Sequence, residues 1–231
     1  QSLAAVIAEV CEGSDVPDAN TDRALGVVRG YGLTEVTSAR AVLQPMLQAA
    51  SVDAVEREGQ LAFIKRTGLG AVALDPEAFT LEDNDPTQEA NRLGEAEMHD
   101  HLRLAYLEAE SDFAVRAVSA SLPDAGSDRV GQSELPLALT RPEAAVMAER
   151  WLIEARLARD SVKFGLPLSR RDIGAGSVVD LDGKRYRVDR CELTSYQSIE
   201  AVRIDPAVYR DPRIDPEATS WKPYQAPTPP Y

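Results

Sequence analysis

The chain is poor in the residues that staple, ligate or catalyse. Its 231 residues include two cysteines and two histidines. Cys11 and Cys191 stand near opposite ends of the chain, so no disulfide framework is indicated. Cys11 falls on the apolar face of a predicted helix and Cys191 within a predicted strand. Two buried thiols in a reducing cytosol are expected. No apolar run reaches the roughly 20 residues of a membrane-spanning helix, so no membrane span is expected. No secretory leader is visible, because Gln1 is followed at once by an amphipathic pattern. The residue at position 1 is not Met, as expected of a processed chain or an excised part of a longer one. Positive charge is also scarce. The 25 Lys and Arg face 38 Asp and Glu, a net charge of -13. Nucleic-acid binding draws on displaced counterions and needs a basic excess, so no specific nucleic-acid binding is expected.

Catalytic patterns are missing as well. His99-Asp100-His101 is the one cluster of catalytic residue types. On a strand His99 and His101 would share a face, but a metal site needs a third ligand, and none is offered nearby. A plain polar strand end is the favoured reading. Cys11 lies near the end of its helix, where the dipole disfavours a thiolate, so it is no papain-like nucleophile. The G-x-S-x-G elbow of serine hydrolases is absent. Gly68-Leu69-Gly70 and Gly174-Ala175-Gly176 read as turns, with no Lys-Ser/Thr after them to make a phosphate loop. A glycosidase pair could be picked by chance from so many acids, but the pattern is no eight-fold β/α repeat. Trp151, on the apolar face of a helix, reads as a core anchor rather than a sugar platform. No catalytic, cofactor-binding or metal-binding residue is therefore assigned.

What is present is well-specified structure. Leu3, Val6, Ile7, Val10 and Cys11 give a helix over about 3–12, with Ser2 to cap its start and Gly13 to end it in a left-handed turn. A second helix spans about 38–50, and Pro45 inside it predicts a kink or break. Val52–Arg57 and Gln60–Arg66 flank Glu58-Gly59 as a hairpin, with a third strand at Ala71–Leu74. Residues 81–95 read as a polar loop with at most one helical turn. Two long strands follow at His99–Glu108 and Phe113–Ser121, with a further one at Val130–Leu139. Thr140 and Glu143 form a capping box, and Pro142 in the first turn opens a helix over 141–159. Beyond it lie four short strands, two of them joined by Asp182-Gly183, a strong hairpin signal.

These elements predict an α+β fold with small antiparallel β-barrel or sandwich domains and a few packed helices. Residues 1–75 are expected to form a small α+β subdomain of two helices and a hairpin. Residues 76–213 are expected to form a β-barrel-like domain with the inserted helix 141–159. Residues 214–231 hold five prolines and read as an extended tail or linker, with Trp221, Tyr224 and Tyr231 as anchors if it lies on a neighbour. Charge is uneven. From Asp75 to Asp112 there are 12 acidic and 2 basic residues, a net of -10; from Arg150 to Arg213 there are 13 basic and 10 acidic, a net of +3. The acidic stretch reads first as a solvated surface.

The succession of residues 37–66, HDHLRLAYLEAESDF (99–113), residues 135–167, GSVVDLDGKRYRVDRCEL (176–193) and IEAVRIDPAVY (199–209) resembles the phage tail tip domain. That domain belongs to tip attachment (host specificity) proteins of long-tailed phages. The chain is most similar to the version in the large baseplate protein of gene transfer agents, the phage-like particles of alphaproteobacteria. The resemblance implies a structural tail hub, not an enzyme, that closes the distal end of the tail tube and links it to tip proteins for DNA delivery. It implies a homotrimer contacting the distal tail and other baseplate proteins, assembled in the bacterial cytoplasm and located in the virion tail tip. It supplies no catalytic residues to carry over. The glycoside-hydrolase-like barrel of larger members leaves no trace here. The other reading is a sugar-binding or hydrolytic module acting on the cell envelope. Were the acidic stretch to line a channel, its charge would keep DNA from sticking.

Overall fold

The computed structural model describes residues 1–209 except 17, 34–36, 58, 76, 78, 80–87, 95–97, 125 and 127–128. The chain opens with α1 (Leu3–Glu12), capped by the Ser2 hydroxyl, which accepts from the Ala5 N–H at 3.2 Å. Gly13 ends it, though in a right-handed conformation; the left-handed residue is Asp15, two positions on, at φ 60°. After β1 (Asn20–Arg23) comes α2 (Ala39–Ala50), which runs unbroken through Pro45. An interior proline costs about 3 kcal/mol. Burial of Leu43 and Met46 to either side, worth about 1.5–3 kcal/mol each, offsets it.

The remaining strands are β2 (Val52–Arg57), β3 (Gln60–Lys65), β4 (Ala71–Ala73), β5 (Gln88–Arg92), β6 (His101–Glu108), β7 (Val115–Ser121) and β8 (Val130–Leu139). The helix α3 (Arg141–Ala158) follows, then β9 (Asp160–Leu166), β10 (Val178–Leu181), β11 (Lys184–Leu193) and β12 (Gln197–Arg203). The chain is thus α+β. Its strands form three sheets, ordered β1-β3-β2, β7-β6-β8 and β4-β10-β11-β12-β9-β5. Of the two β arrangements expected, packed sheets are found; among the described residues no sheet closes into a barrel.

The sheets are mixed, which local patterning does not announce. The third strand after the hairpin, β4, pairs in parallel with β10 rather than with the hairpin. Residues 88–92, expected as loop, are a strand on the edge of the six-stranded sheet, antiparallel to β9. Residues 81–87 and 95 lie outside the described residues. β8 pairs in parallel with β6. A parallel pair needs a long crossover, and β7 with its connections supplies it. The Asp182-Gly183 hairpin forms as expected, with both residues at positive φ (52° and 75°), a type I′ turn.

Two apolar clusters hold the fold. In one, Leu3, Ile7, Leu43, Met46 and Phe63 pack with Leu104, Tyr106, Leu135, Ala144, Ala148 and Leu152. It therefore joins the first two helices and the hairpin to the β6–β8 sheet and α3, on both sides of residue 75. The other lies on the six-stranded sheet and contains Val162, Phe164, Ile173, Val179, Val188 and Ile199. Phe79 stacks on Phe164 there at 4.8 Å between ring centroids. The capping box opens α3 as expected: Glu143 N–H donates to the Thr140 hydroxyl, and Thr140 N–H to the Glu143 carboxylate at 2.9 Å.

Candidate functional site

The residues that sequence reasoning singled out do not converge. His99 precedes β6, beside Gly131, and His101 is the first residue of β6. The Asp100 carboxylate accepts from Gly126 N–H at 2.9 Å, a structural use. Among the described residues no three His, Cys, Asp or Glu side chains are grouped to hold a metal ion. Cys11 is buried and free. Cys191 is free but only half-buried, because its strand position puts it at the margin of the second cluster rather than inside it. Burial pushes both thiols up, away from the reactive thiolate. Gly68 and Gly176 adopt positive φ in turns. Trp221, Tyr224 and Tyr231 lie outside the described residues.

Trp151 packs partly buried against the first cluster, as a core anchor should. Its other edge lines a cavity of about 350 Å³ together with Arg66, Glu154, Arg187, Arg203 and Tyr209. Sequence reasoning did not find this cluster. Arg66, just after β3, holds the Asp53 carboxylate of β2 in a two-pronged pair, Nη2–Oδ1 2.7 Å and Nε–Oδ2 3.0 Å. Its Nη1 reaches Glu154 of α3 at 3.2 Å. Arg187 of β11 approaches Asp53 at 3.6 Å and pairs with Asp189 at 2.9 Å. Tyr209, in the 3₁₀ turn Pro206–Tyr209, is buried beside them. Burial works against the Arg66 charge, but the hydrogen bond and charge of Asp53, with Glu154, hold its pKa above the ordinary value. Burial, then the Glu154 carboxylate, push the Tyr209 phenol up. The cluster thus joins the hairpin, α3, β11 and the 3₁₀ turn. Its charges pair with one another, and it joins the two apolar clusters.

A second contact fixes the same joint. Arg57 of β2 donates to Ser177 Oγ at 2.8 Å and to the Ala175 carbonyl at 3.2 Å. Gly176, at φ 76°, lies so close that a Cβ there would stand 3.1 Å from Val55 Cγ1. Glycine answers both the backbone angle and the close approach.

The surface carries apolar side chains away from this joint. Phe113 and Val115 are 60% and 66% exposed at the start of β7, and Leu25 and Val27 are 64% and 78% exposed in the segment after β1. No helix among the described residues is long and apolar enough to cross a membrane.

Comparison with known proteins turns on this arrangement rather than on a reactive site. A family model described as "Putative phage tail protein" matches residues 38–191. The chain is similar to a protein in the structure of the virion of a native gene transfer agent particle, with 43% identity and a TM-score of 0.86 over 91% of this chain. It spans about half of that protein, 49% of its length. Two crystal structures share the fold at 10% identity. One is the 43 kDa tail protein of prophage MuSo2 from Shewanella oneidensis, with a TM-score of 0.58 over 91% of this chain and 67% of that one. The other is a tail protein from Neisseria meningitidis, with a TM-score of 0.57 over 89% of this chain and 67% of that one. No curated protein sequence matches the chain. With the family model covering well over half of its residues and a relative far above 30% identity covering nine-tenths of it, the chain belongs to the phage tail protein family.

Proposed function

We propose that the chain is a structural component of a phage-like particle, acting as a tail-hub or baseplate domain at the distal end of the tail tube. The observation that carries this is the 43% identity, across 91% of the chain, to a protein of a gene transfer agent virion. On this reading the domain works as one of three copies around the tail axis, links the tube to tip proteins and stands beside the path of DNA. Copies in a closed ring present two unlike faces to their neighbours.

Cryo-electron microscopy of particles carrying this chain tests the reading. Density for the domain at the distal tube end, in three-fold arrangement, is the expected result. A domain placed away from the tail axis, or absent from the particle, would overturn it.

A further inference from the structure

The last described residue, Tyr209, stands at the wall of a cavity. The 3₁₀ turn Pro206–Tyr209 packs against α3. Its Val208 and Tyr209, with Trp151, Ala155, Ala158 and Val202, line the cavity of about 350 Å³ beside the joint. Ligand pockets run from about 300 to 1,000 Å³, so this one has room for a short peptide segment. Two aromatic side chains, Trp151 and Tyr209, share its lining. The three arginines that line it are already paired: Arg66 with Asp53 and Glu154, Arg187 with Asp189, and Arg203 with Asp160 at 3.0 Å. An occupant therefore needs apolar surface rather than charge. A guanidinium has five N–H donors, so these arginines can still serve main-chain carbonyls.

Residues 210–231 lie outside the described residues, and their sequence supplies an occupant of that chemistry. Residues 223–230 read PYQAPTPP, with four prolines and no charged side chain. Proline fixes φ near −65°, and proline-rich segments favour an extended helix whose carbonyls bond to nothing within it. Aromatic-lined grooves take such segments at a small ordering cost. Reach is ample. Fourteen steps of the chain lead from Tyr209 to Pro223. At no more than about 3.6 Å each they span up to about 50 Å, and the cavity is one that Tyr209 itself lines. A short tether also gives an effective concentration on the order of 1 mM. A segment with a Kd of about 0.1 mM on its own would then fill the cavity about nine-tenths of the time. A partner in solution has no such advantage.

We infer that residues 223–230 dock in this cavity of their own chain. They form a strap across α3, β12 and the 3₁₀ turn. Its prolines lie against Trp151 and Tyr209, and its carbonyls accept from the arginines. The strap covers one side of the joint around Arg66. The inference is independent of the particle role.

Trp151 reports whether the cavity is covered. The sequence has two tryptophans, so Trp221→Phe in the full chain leaves Trp151 as the only one. Acrylamide quenching of its fluorescence should rise about twofold or more when Pro223, Pro227, Pro229 and Pro230 are also replaced by glycine. Glycine at Pro212 and Pro216 instead should leave it unchanged. Equal quenching with and without the four prolines would overturn the strap. Ala155→Cys with Ala226→Cys gives a second reading, by peptide mapping after oxidation. The two introduced thiols should join within one chain about tenfold faster than when the four prolines are glycine. Equal rates would overturn the strap. So would a bond between two chains that grows with protein concentration, since a second copy would then supply the segment. Each of these results leaves the particle role standing, which imaging of the particle decides.

Discussion

Replacing Arg66 with alanine removes the centre of the joint, and the structure gives the size of the effect. The guanidinium makes two bonds to Asp53, at 2.7 and 3.0 Å, and one to Glu154 at 3.2 Å. The three side chains are 20%, 23% and 18% exposed. Stripping one partner from a fully buried ion pair costs about 3–5 kcal/mol, because the charge left behind stays desolvated. Here water reaches a fifth of each group, and Arg187 remains 3.6 Å from Asp53. Glu154 keeps the Tyr209 hydroxyl as a partner, though its Oε1 is buried without a hydrogen bond. These corrections bring the expected loss to about 2–3 kcal/mol. At about 2–4 °C per kcal/mol for a chain of this size, the melting temperature should fall by about 5–10 °C.

The comparison is Arg170→Ala, which removes a 3.0 Å pair with Asp172 whose side chains are 31% and 54% exposed. Pairs of that kind contribute about 0–1 kcal/mol, so the shift should stay below about 4 °C. Calorimetry of the two variants decides. In the double variant Asp53→Ala/Arg66→Ala, the losses should fall short of their sum by about 1–3 kcal/mol, because each partner strands the other. An Arg66→Ala shift no larger than that of Arg170→Ala, or strict additivity with Asp53→Ala, would refute the account of the joint.

Three further outcomes follow from the same geometry. Thr140→Ala should cost about 1 kcal/mol by removing the α3 cap, read as a lower urea midpoint with an unchanged slope. Gly176→Ala should cost about 1–2 kcal/mol for its φ of 76°, plus the clash with Val55; adding Val55→Ala should recover the clash and not the backbone part, and full recovery would sink that division. Burial, then the hydrogen bond to Glu108, push the Tyr106 phenol from 10 up to about 12. A raised phenol contributes fully below pH 10 and loses that contribution as pH climbs toward about 12. Tyr106→Phe should therefore flatten the alkaline fall in stability between those values, measured by urea unfolding at stepped pH, and an unchanged slope would count against it.

The helices were legible because their causes are local. A four-residue capping box, a hydroxyl at Ser2 and a 3.6-residue apolar stripe all lie within one turn of where they act. The same holds for the Asp182-Gly183 hairpin. Strands β1 and β5 were not legible, because NTDR and QEANR have no apolar alternation. They are strands only through backbone pairing with β3 and β9. The parallel partners of β4 and β6 likewise depend on contacts far along the chain. The joint was invisible for the same reason. Asp53, Arg66, Glu154, Arg187 and Tyr209 share no spacing, and of the four charged ones only Arg187 is flanked on both sides by core residues, Tyr186 and Val188.

Charge shows how far folding can change a sequence-level expectation. Residues 150–213 carry a net of +3 against -10 over residues 75–112. In the structure those arginines are largely spent. Arg156 grips Asp124 at 2.6 and 2.7 Å, Arg203 meets Asp160 at 3.0 Å, Arg187 pairs with Asp189 and Asp53, and Arg190 pairs with Glu192. On the acidic side, Asp100 holds the Gly126 amide, and Glu108 accepts from the Tyr106 hydroxyl at 2.7 Å, bonds from uncharged donors that cancel no charge. A pair neutralised within the chain gives a neighbour little to steer by, since exposed charges are screened within about 8 Å at physiological salt. Contacts made through the basic stretch should then depend weakly on salt. Raising ionic strength from about 0.15 to 1 M shortens the screening length to about 3 Å, yet should leave particles containing this chain intact. Disassembly at high salt, followed by electron microscopy and sedimentation, would show that charge holds the contacts after all.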